Sequence, residues 1–94
     1  MSREISKVAP EFTLSQVAHN PILRSFSYQH LRSPLREVSE PFAKLAAHIL
    51  SLPPNAERTT ALRKLREAKD CAVTSVVWQL QIEEEKAETQ VGDD

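Results

Sequence analysis

The stretch FAKLAAHILSLPPNAERTTALRKLREAKD, residues 42–70, decides the fold of this chain. Two consecutive prolines, Pro53 and Pro54, cannot continue a helix, and Asn55 is a good N-cap for a helix that follows them. On both sides of this break, apolar residues recur at helical spacing. The stretch therefore predicts two helices joined by a short turn.

The shorter helix is predicted at about residues 34–51. Ser33 followed by Pro34 gives an N-cap with proline at the first helical position. Pro41 fits badly in a continuous helix, so the sequence leaves open whether the helix kinks there or begins near Ser39. The predicted apolar face of this helix consists of Val38, Phe42, Leu45, Ala46 and Ile49.

The longer helix is predicted at about residues 56–85, because no helix-breaking residue interrupts this range. Basic residues surround its first half. We interpret them as solvated or paired charges, since one hairpin does not supply a helix-turn-helix, and we expect no DNA or RNA polymer as a partner. The main apolar stripe consists of Ala61, Leu62, Leu65, Ala68, Ala72, Val76 and Leu80.

The composition of the 94-residue chain limits it to one small helical domain. The only glycine is Gly92, which excludes glycine-rich phosphate loops. The net charge is −1, but residues 83–94 carry six acidic residues against Lys86, so the rest of the chain is mildly basic. A basic body favours an anionic partner.

The chain divides into three expected regions. Residues 1–24 read as an N-terminal arm with room for one short helix, residues 25–82 as the helical-hairpin domain, and residues 83–94 as an acidic, disordered tail. The first residues lack the apolar segment of a signal peptide, and no apolar run is long enough for a membrane span. With one cysteine and no disulfide, we expect a cytoplasmic protein.

No enzyme site is expected. Cys71 falls near the apolar stripe and is interpreted as a buried structural thiol. His19, His30 and His48 have no metal-binding spacing, so neither a metal nor another cofactor is predicted.

Two helices alone cannot enclose a hydrophobic core. Each has an apolar face wider than its single partner covers, and domains this small are usually stabilised by disulfides, metals or association. Neither a disulfide nor a metal site is expected in this chain. The sequence therefore predicts an obligate homo-oligomer with a helical-bundle core.

The stretch RSFSYQHLR, residues 24–32, has two interpretations. Phe26 and Tyr28 can form a hydrophobic staple that packs on the helix that follows. Alternatively, a ring can stack on a nucleobase while Gln29 and the arginines bind base edges and phosphates. The residues alone leave both interpretations open.

Three features, in order, resemble the phage anti-CBASS and anti-Thoeris cyclic-nucleotide sponge family. FSY (26–28) precedes the first helix, which ends in FAKLAAHIL (42–50). After the turn comes ALRKLREAKDCAVTSVV (61–77), similar to the family's Ala-Leu-x-Lys-Leu-x-Glu-Ala pattern followed by small apolar residues. The resemblance covers a little over half of the chain.

The resemblance implies a homo-oligomer, typically a hexamer, in the cytoplasm of an infected bacterial host. Such proteins hold cyclic dinucleotides such as cGAMP intact in pockets between subunits, and some members bind cyclic trinucleotides or cyclic ADP-ribose isomers. On that pattern Tyr28 stacks on a base beside Phe26 and Gln29, and Arg36 and Ser39 contact phosphate.

Two positions depart from the family pattern. Trp78 stands where members often have an arginine, which puts a trinucleotide site in doubt, and Cys71 stands where a tryptophan is common. The alternative function is a structural or adaptor helical oligomer without a small-molecule ligand.

Overall fold

The structure, a computed structural model, describes residues 4–92 and the side chains of residues 4–88. Its elements in chain order are α1 (Leu14–His19), a 3-10 helix (Pro21–Phe26), α2 (Leu35–Leu50) and α3 (Ala56–Gly92). α2 and α3 pack against each other as the predicted hairpin, which confirms the all-α fold class. Residues 1–3 of the expected arm and 93–94 of the expected tail lie outside the described residues.

The turn between α2 and α3 is closed by side chains on both of its sides. Asn55 acts as the predicted N-cap, because its Oδ1 accepts a hydrogen bond from the Arg58 backbone N–H at 3.0 Å. The Arg58 guanidinium reaches back and donates to the carbonyls of Leu50 at 3.0 Å and Leu52 at 3.2 Å. It thereby satisfies the Leu50 carbonyl, which the end of α2 leaves without a helical partner, and the Leu52 carbonyl in the turn.

The start of α2 differs from the prediction in one detail. Pro34 takes the N-cap position without a side-chain hydrogen bond, while the Ser33 hydroxyl donates to the Glu37 carboxylate. Pro41 lies inside a helix that already begins at Leu35, so the later start near Ser39 is not adopted. The N–H that proline lacks would have bonded the carbonyl of Glu37, an exposed residue.

The residues before the hairpin form part of the hydrophobic core. Phe12, Leu23 and Phe26 are fully buried together with Ala43 and Ala46 of α2. The Phe12 and Phe26 rings meet edge to face, with centroids 6.5 Å apart, a favourable geometry for aromatic pairs. The N-terminal residues therefore form a third layer on the hairpin, where the sequence predicted an arm.

Local hydrogen bonds hold this third layer in place. Thr13 caps α1 by accepting from the Gln16 N–H at 3.1 Å, and the Gln16 side chain accepts from the Thr13 N–H at 2.9 Å. This reciprocal pair is a capping box. An isolated antiparallel bridge joins Ile5 to Thr13, and the Ser6 N–H donates to the Phe12 carbonyl at 2.8 Å.

The buried face of α2 is rotated relative to the predicted one. Ser39, Ala43 and Ala46 are its buried residues, whereas Leu45 is 47% exposed. The sequence pattern emphasised large apolar residues, but small ones face the place where the 3-10 helix and α3 pack. Small side chains permit the close approach of neighbouring elements.

α3 extends far beyond its partner. At 1.5 Å per residue, the 16 residues of α2 span roughly 24 Å and the 37 residues of α3 roughly 55 Å. The helix passes the predicted end near residue 85 and continues to Gly92, because the glutamates of this region are good helix formers. Between residues 4 and 92, no helix combines the length and apolarity that crossing a membrane requires.

Candidate functional site

Two of the predicted ligand-binding residues, Phe26 and Tyr28, lie in the core. Phe26 has no exposed surface and Tyr28 is 4% exposed. A ring covered in this way has no free face on which a base could stack. Their burial favours the packing interpretation of the FSY stretch for the single chain.

The Tyr28 hydroxyl is held by the N-terminal layer. It donates to the Glu11 carboxylate, with both oxygens at 3.0 Å. Burial, the hydrogen bond to Glu11 and the negative charges of Glu11 and Glu40 raise the pKa of Tyr28 to about 12, while the positive charge of Arg36 opposes this shift. Arg36 is thus close enough to influence the Tyr28 hydroxyl electrostatically.

The remaining predicted residues differ in exposure. Gln29 and Arg36 are exposed on the surface, whereas Ser39 is 1% exposed. Of the five predicted residues, only Ser39 lines the main surface pocket, so the structure does not bring the five together into one site.

The main pocket lies where the 3-10 helix and the turn after it meet α2 and α3, and its volume is about 450 Å³. This volume falls within the range of small-molecule sites, roughly 300–1,000 Å³. Three basic side chains and one acidic side chain line it. The charged and polar residues of its lining include Arg24, His30, Ser39, Lys69 and Asp70.

Lys69 is the residue of this pocket that sequence reasoning missed. Its side chain is only 15% exposed, and its Nζ donates to the Ser25 carbonyl at 2.6 Å and pairs with the Asp70 carboxylate at 3.0 Å. The sequence placed it among solvated helix charges. One signal was available: Lys69 falls between Leu65 and Ala72, on the side of α3 that carries the apolar stripe.

Ser39 contributes an unusual group to the same pocket. Its Oγ is buried and has no hydrogen-bond partner among the described residues. A buried hydroxyl without a partner costs about 1–3 kcal/mol. Such a group in a folded protein calls for an explanation, and an ordered water or a bound ligand is one.

A second, mainly apolar groove of about 300 Å³ adjoins the pocket along α3. Asp70 and Thr74 line both, and Trp78 extends the groove toward the C-terminal half of the helix. Cys71 also lines the groove and is exposed, so the prediction of a buried thiol was wrong. The thiol sits on the side of α3 that no other element of the described chain covers.

The chemistry of the pocket suits an anion. Arg24 and Lys69 carry positive charges, the ring nitrogens of His30 can form hydrogen bonds, and Asp70 is the single acidic residue of the lining. Across residues 4–92, no cluster of three or more His, Cys, Asp or Glu side chains could hold a metal ion. The arrangement can bind and orient an anionic molecule through hydrogen bonds and charge.

Comparison of the chain with protein-family models, curated proteins and solved structures finds no match. The sponge family therefore remains a resemblance carried by the motifs quoted above.

Proposed function

We propose that this chain binds and sequesters cyclic oligonucleotide signals without cleaving them. Cyclic dinucleotides such as cGAMP are the primary ligand class, and cyclic trinucleotides and cyclic ADP-ribose isomers are the further candidates. The observation that carries the proposal is the 450 Å³ pocket with basic side chains around the buried Ser39 hydroxyl. Ser39 is also a residue for which the family resemblance implies phosphate contact.

The position of the pocket supports a site shared between subunits. It continues through Asp70 and Thr74 into the apolar groove at Trp78, and Trp78 is 64% exposed. A second copy of the chain seated on that groove would stand beside the pocket and could close it. Self-association, with a hexamer as the assembly that the resemblance implies, is therefore part of the proposal.

The burial of Tyr28 modifies the proposed binding mode. With its ring packed in the core, Tyr28 holds Glu11, and a base would stack on it only after the N-terminal layer moves. Base contacts in the pocket as it stands would come from the exposed His30 and from a neighbouring subunit. Arg36 and Gln29 lie exposed outside the pocket lining, where an added subunit could meet them.

A thermal-shift screen against cyclic di- and trinucleotides and cyclic ADP-ribose isomers tests the proposal. A ligand should raise the melting temperature in a concentration-dependent manner, because binding to the folded state alone stabilises it. The ligand should be recovered unchanged after the protein is denatured. Absence of any shift over the whole panel would reject the sponge function.

A specific observation favours a second candidate, a structural or adaptor oligomer. Phe26 and Tyr28 serve the core, while the apolar residues of α3 from Trp78 to Ile82 lie exposed, as is typical of an association surface. This candidate predicts concentration-dependent assembly with no response to any cyclic nucleotide. The same screen, run beside a sedimentation experiment, separates the two functions.

A further inference from the structure

Lys69 is fixed in position more firmly than a surface lysine. Its side chain extends from α3 to the backbone carbonyl of Ser25, 44 residues earlier in the sequence. Nζ donates a hydrogen bond of 2.6 Å to this carbonyl. Nζ also pairs with Asp70 Oδ1 at 3.0 Å. A lysine ammonium has three protons, so these two acceptors leave one proton for a further acceptor. With 85% of its side chain covered, the ammonium has already lost most of its freedom.

The hydroxyl of Ser39 is the second fixed group of the same pocket. It belongs to the buried face of α2, where Ser39 stands in line with Ala43 and Ala46. An alanine at this position would match its neighbours and avoid the cost of an unpaired hydroxyl. Packing therefore does not explain why this position is a serine and not an alanine.

Arg24 supplies a third group at the rim of the pocket. Its side chain is exposed in the last turn of the 3-10 helix and lines the pocket together with residues of α3. A guanidinium binds two oxygens of a phosphate at once, which a lysine does not do. The pocket thus combines the planar guanidinium of Arg24 at its rim with the ammonium of Lys69 and the hydroxyl of Ser39 deeper inside.

We infer that Arg24, Ser39 and Lys69 form a phosphate-binding subsite, in which the ligand phosphate accepts hydrogen bonds from the remaining N–H of the Lys69 ammonium and from the Ser39 hydroxyl, while Arg24 closes over it. This subsite deepens the proposed function and rests on it for the remainder of the ligand. The ligand chemistry that it recognises is a phosphate monoester or diester. Asp70, the ion-pair partner of Lys69, lowers the net positive charge of the pocket, and this ion pair loosens when the phosphate binds.

Ser39→Ala is the decisive variant, because it removes only the hydroxyl and introduces the residue type found at Ala43 and Ala46. The protein is titrated with AMP and, separately, with inorganic phosphate, and binding is followed through backbone amide NMR shifts. In the wild type, the shifts should concentrate at Arg24, Ser25, Ser39 and Lys69. Ser39→Ala should weaken AMP binding about tenfold to a hundredfold, the loss expected for a hydrogen bond to a charged group, with an equal or higher melting temperature.

Lys69→Met provides an independent test with a matched control on the same helix. Lys64→Met removes an exposed lysine that does not line the pocket and should leave AMP affinity unchanged. Lys69→Met should weaken AMP binding at least as strongly as Ser39→Ala. Equal loss in both lysine variants would mean diffuse charge attraction and would overturn the subsite.

The outcomes also separate this subsite from the proposed function. Cyclic dinucleotide binding that survives Ser39→Ala and Lys69→Met unchanged would reject the subsite and leave the sponge intact. AMP binding that both variants abolish, in a protein that binds no cyclic oligonucleotide, would support the subsite and reject the sponge. A wild type whose pocket amides respond to neither AMP nor phosphate, or a Ser39→Ala variant that binds AMP normally, overturns the subsite.

Discussion

The Tyr28 hydroxyl donates to both carboxylate oxygens of Glu11 at 3.0 Å, across 17 residues of sequence. This bond ties the N-terminal layer to the segment that precedes α2. It also places the only tyrosine of the chain in a buried position beside a negative charge. Tyr28, which the family resemblance implied would stack on a base, therefore connects two parts of the core.

The first prediction concerns alkaline pH. The folded pKa of Tyr28, about 12, exceeds its ordinary value of 10.0. Its contribution to stability is therefore complete below pH 10 and is lost as the pH rises toward 12, because the unfolded tyrosine ionises first. Tyrosinate absorbance reports this residue alone and should show a midpoint well above 10 in the folded protein.

Tyr28→Phe is the matched variant for this prediction. It should lower the free energy of unfolding at neutral pH by about 1 kcal/mol through the lost hydrogen bond. Its stability should decline less steeply between pH 10 and 12 than that of the wild type. An ordinary tyrosinate midpoint in the folded wild type would show that the ring is not buried beside Glu11.

The second prediction tests whether residues before the hairpin belong to the core. Phe12→Ala should reduce the free energy of unfolding by about 3–5 kcal/mol, since it empties a fully buried site against Phe26. Leu14→Ala is the control. Because Leu14 is 42% exposed, this substitution should lower the free energy of unfolding by less than about 1 kcal/mol. Chemical denaturation measures both. Similar small losses in the two variants would mean that the N-terminal residues are a loose arm.

The hairpin itself was predictable because its signals are local. Pro53, Pro54 and Asn55 mark the turn through their own backbone chemistry, and the Asn55 cap is present in the structure. The capping box of Thr13 and Gln16 was equally legible and would have revealed α1. What local signals could not reveal was that α1 and the 3-10 helix fold back onto the hairpin.

The third prediction concerns the end of α2. Arg58→Ala removes the guanidinium that bonds the carbonyls of Leu50 and Leu52, and should cost about 1 kcal/mol of stability. Arg63→Ala, an exposed arginine on the same helix, should cost less. Thermal denaturation of the two variants side by side checks the difference. Equal melting temperatures would mean that the Arg58 bonds add nothing to closure of the turn.

The fourth prediction concerns the uncovered half of α3. Trp78 is the only tryptophan and is 64% exposed, so its fluorescence reports directly on association through this face. We expect a blue shift with rising protein concentration, in parallel with a larger mass in sedimentation. Trp78→Ala should weaken association by about 2 kcal/mol or more, the value of a central aromatic contact.

Leu52→Ala controls for the loss of exposed apolar surface, because Leu52 is 44% exposed in the turn at the other end of α3. Its association should match that of the wild type. A wild type whose mass and fluorescence stay constant over the accessible concentrations would contradict the proposed self-association.

The candidate site was less predictable than the fold because it depends on long-range geometry. Ser39 was selected through the family resemblance, and the structure places it in a pocket. Lys69 escaped selection because its partner Ser25 lies 44 residues away, a separation that helical periodicity does not register. The sequence left open whether Phe26 and Tyr28 pack in the core, because two of their partners, Phe12 and Glu11, lie well before them in the chain.

Calorimetric titration of the full chain with cyclic dinucleotides, followed by chromatography of the ligand released on denaturation, tests the central claim most directly. The sponge function predicts saturable binding and complete recovery of the intact cyclic ligand. No measurable binding to any cyclic dinucleotide, trinucleotide or cyclic ADP-ribose isomer, or recovery of a cleaved product, would contradict it.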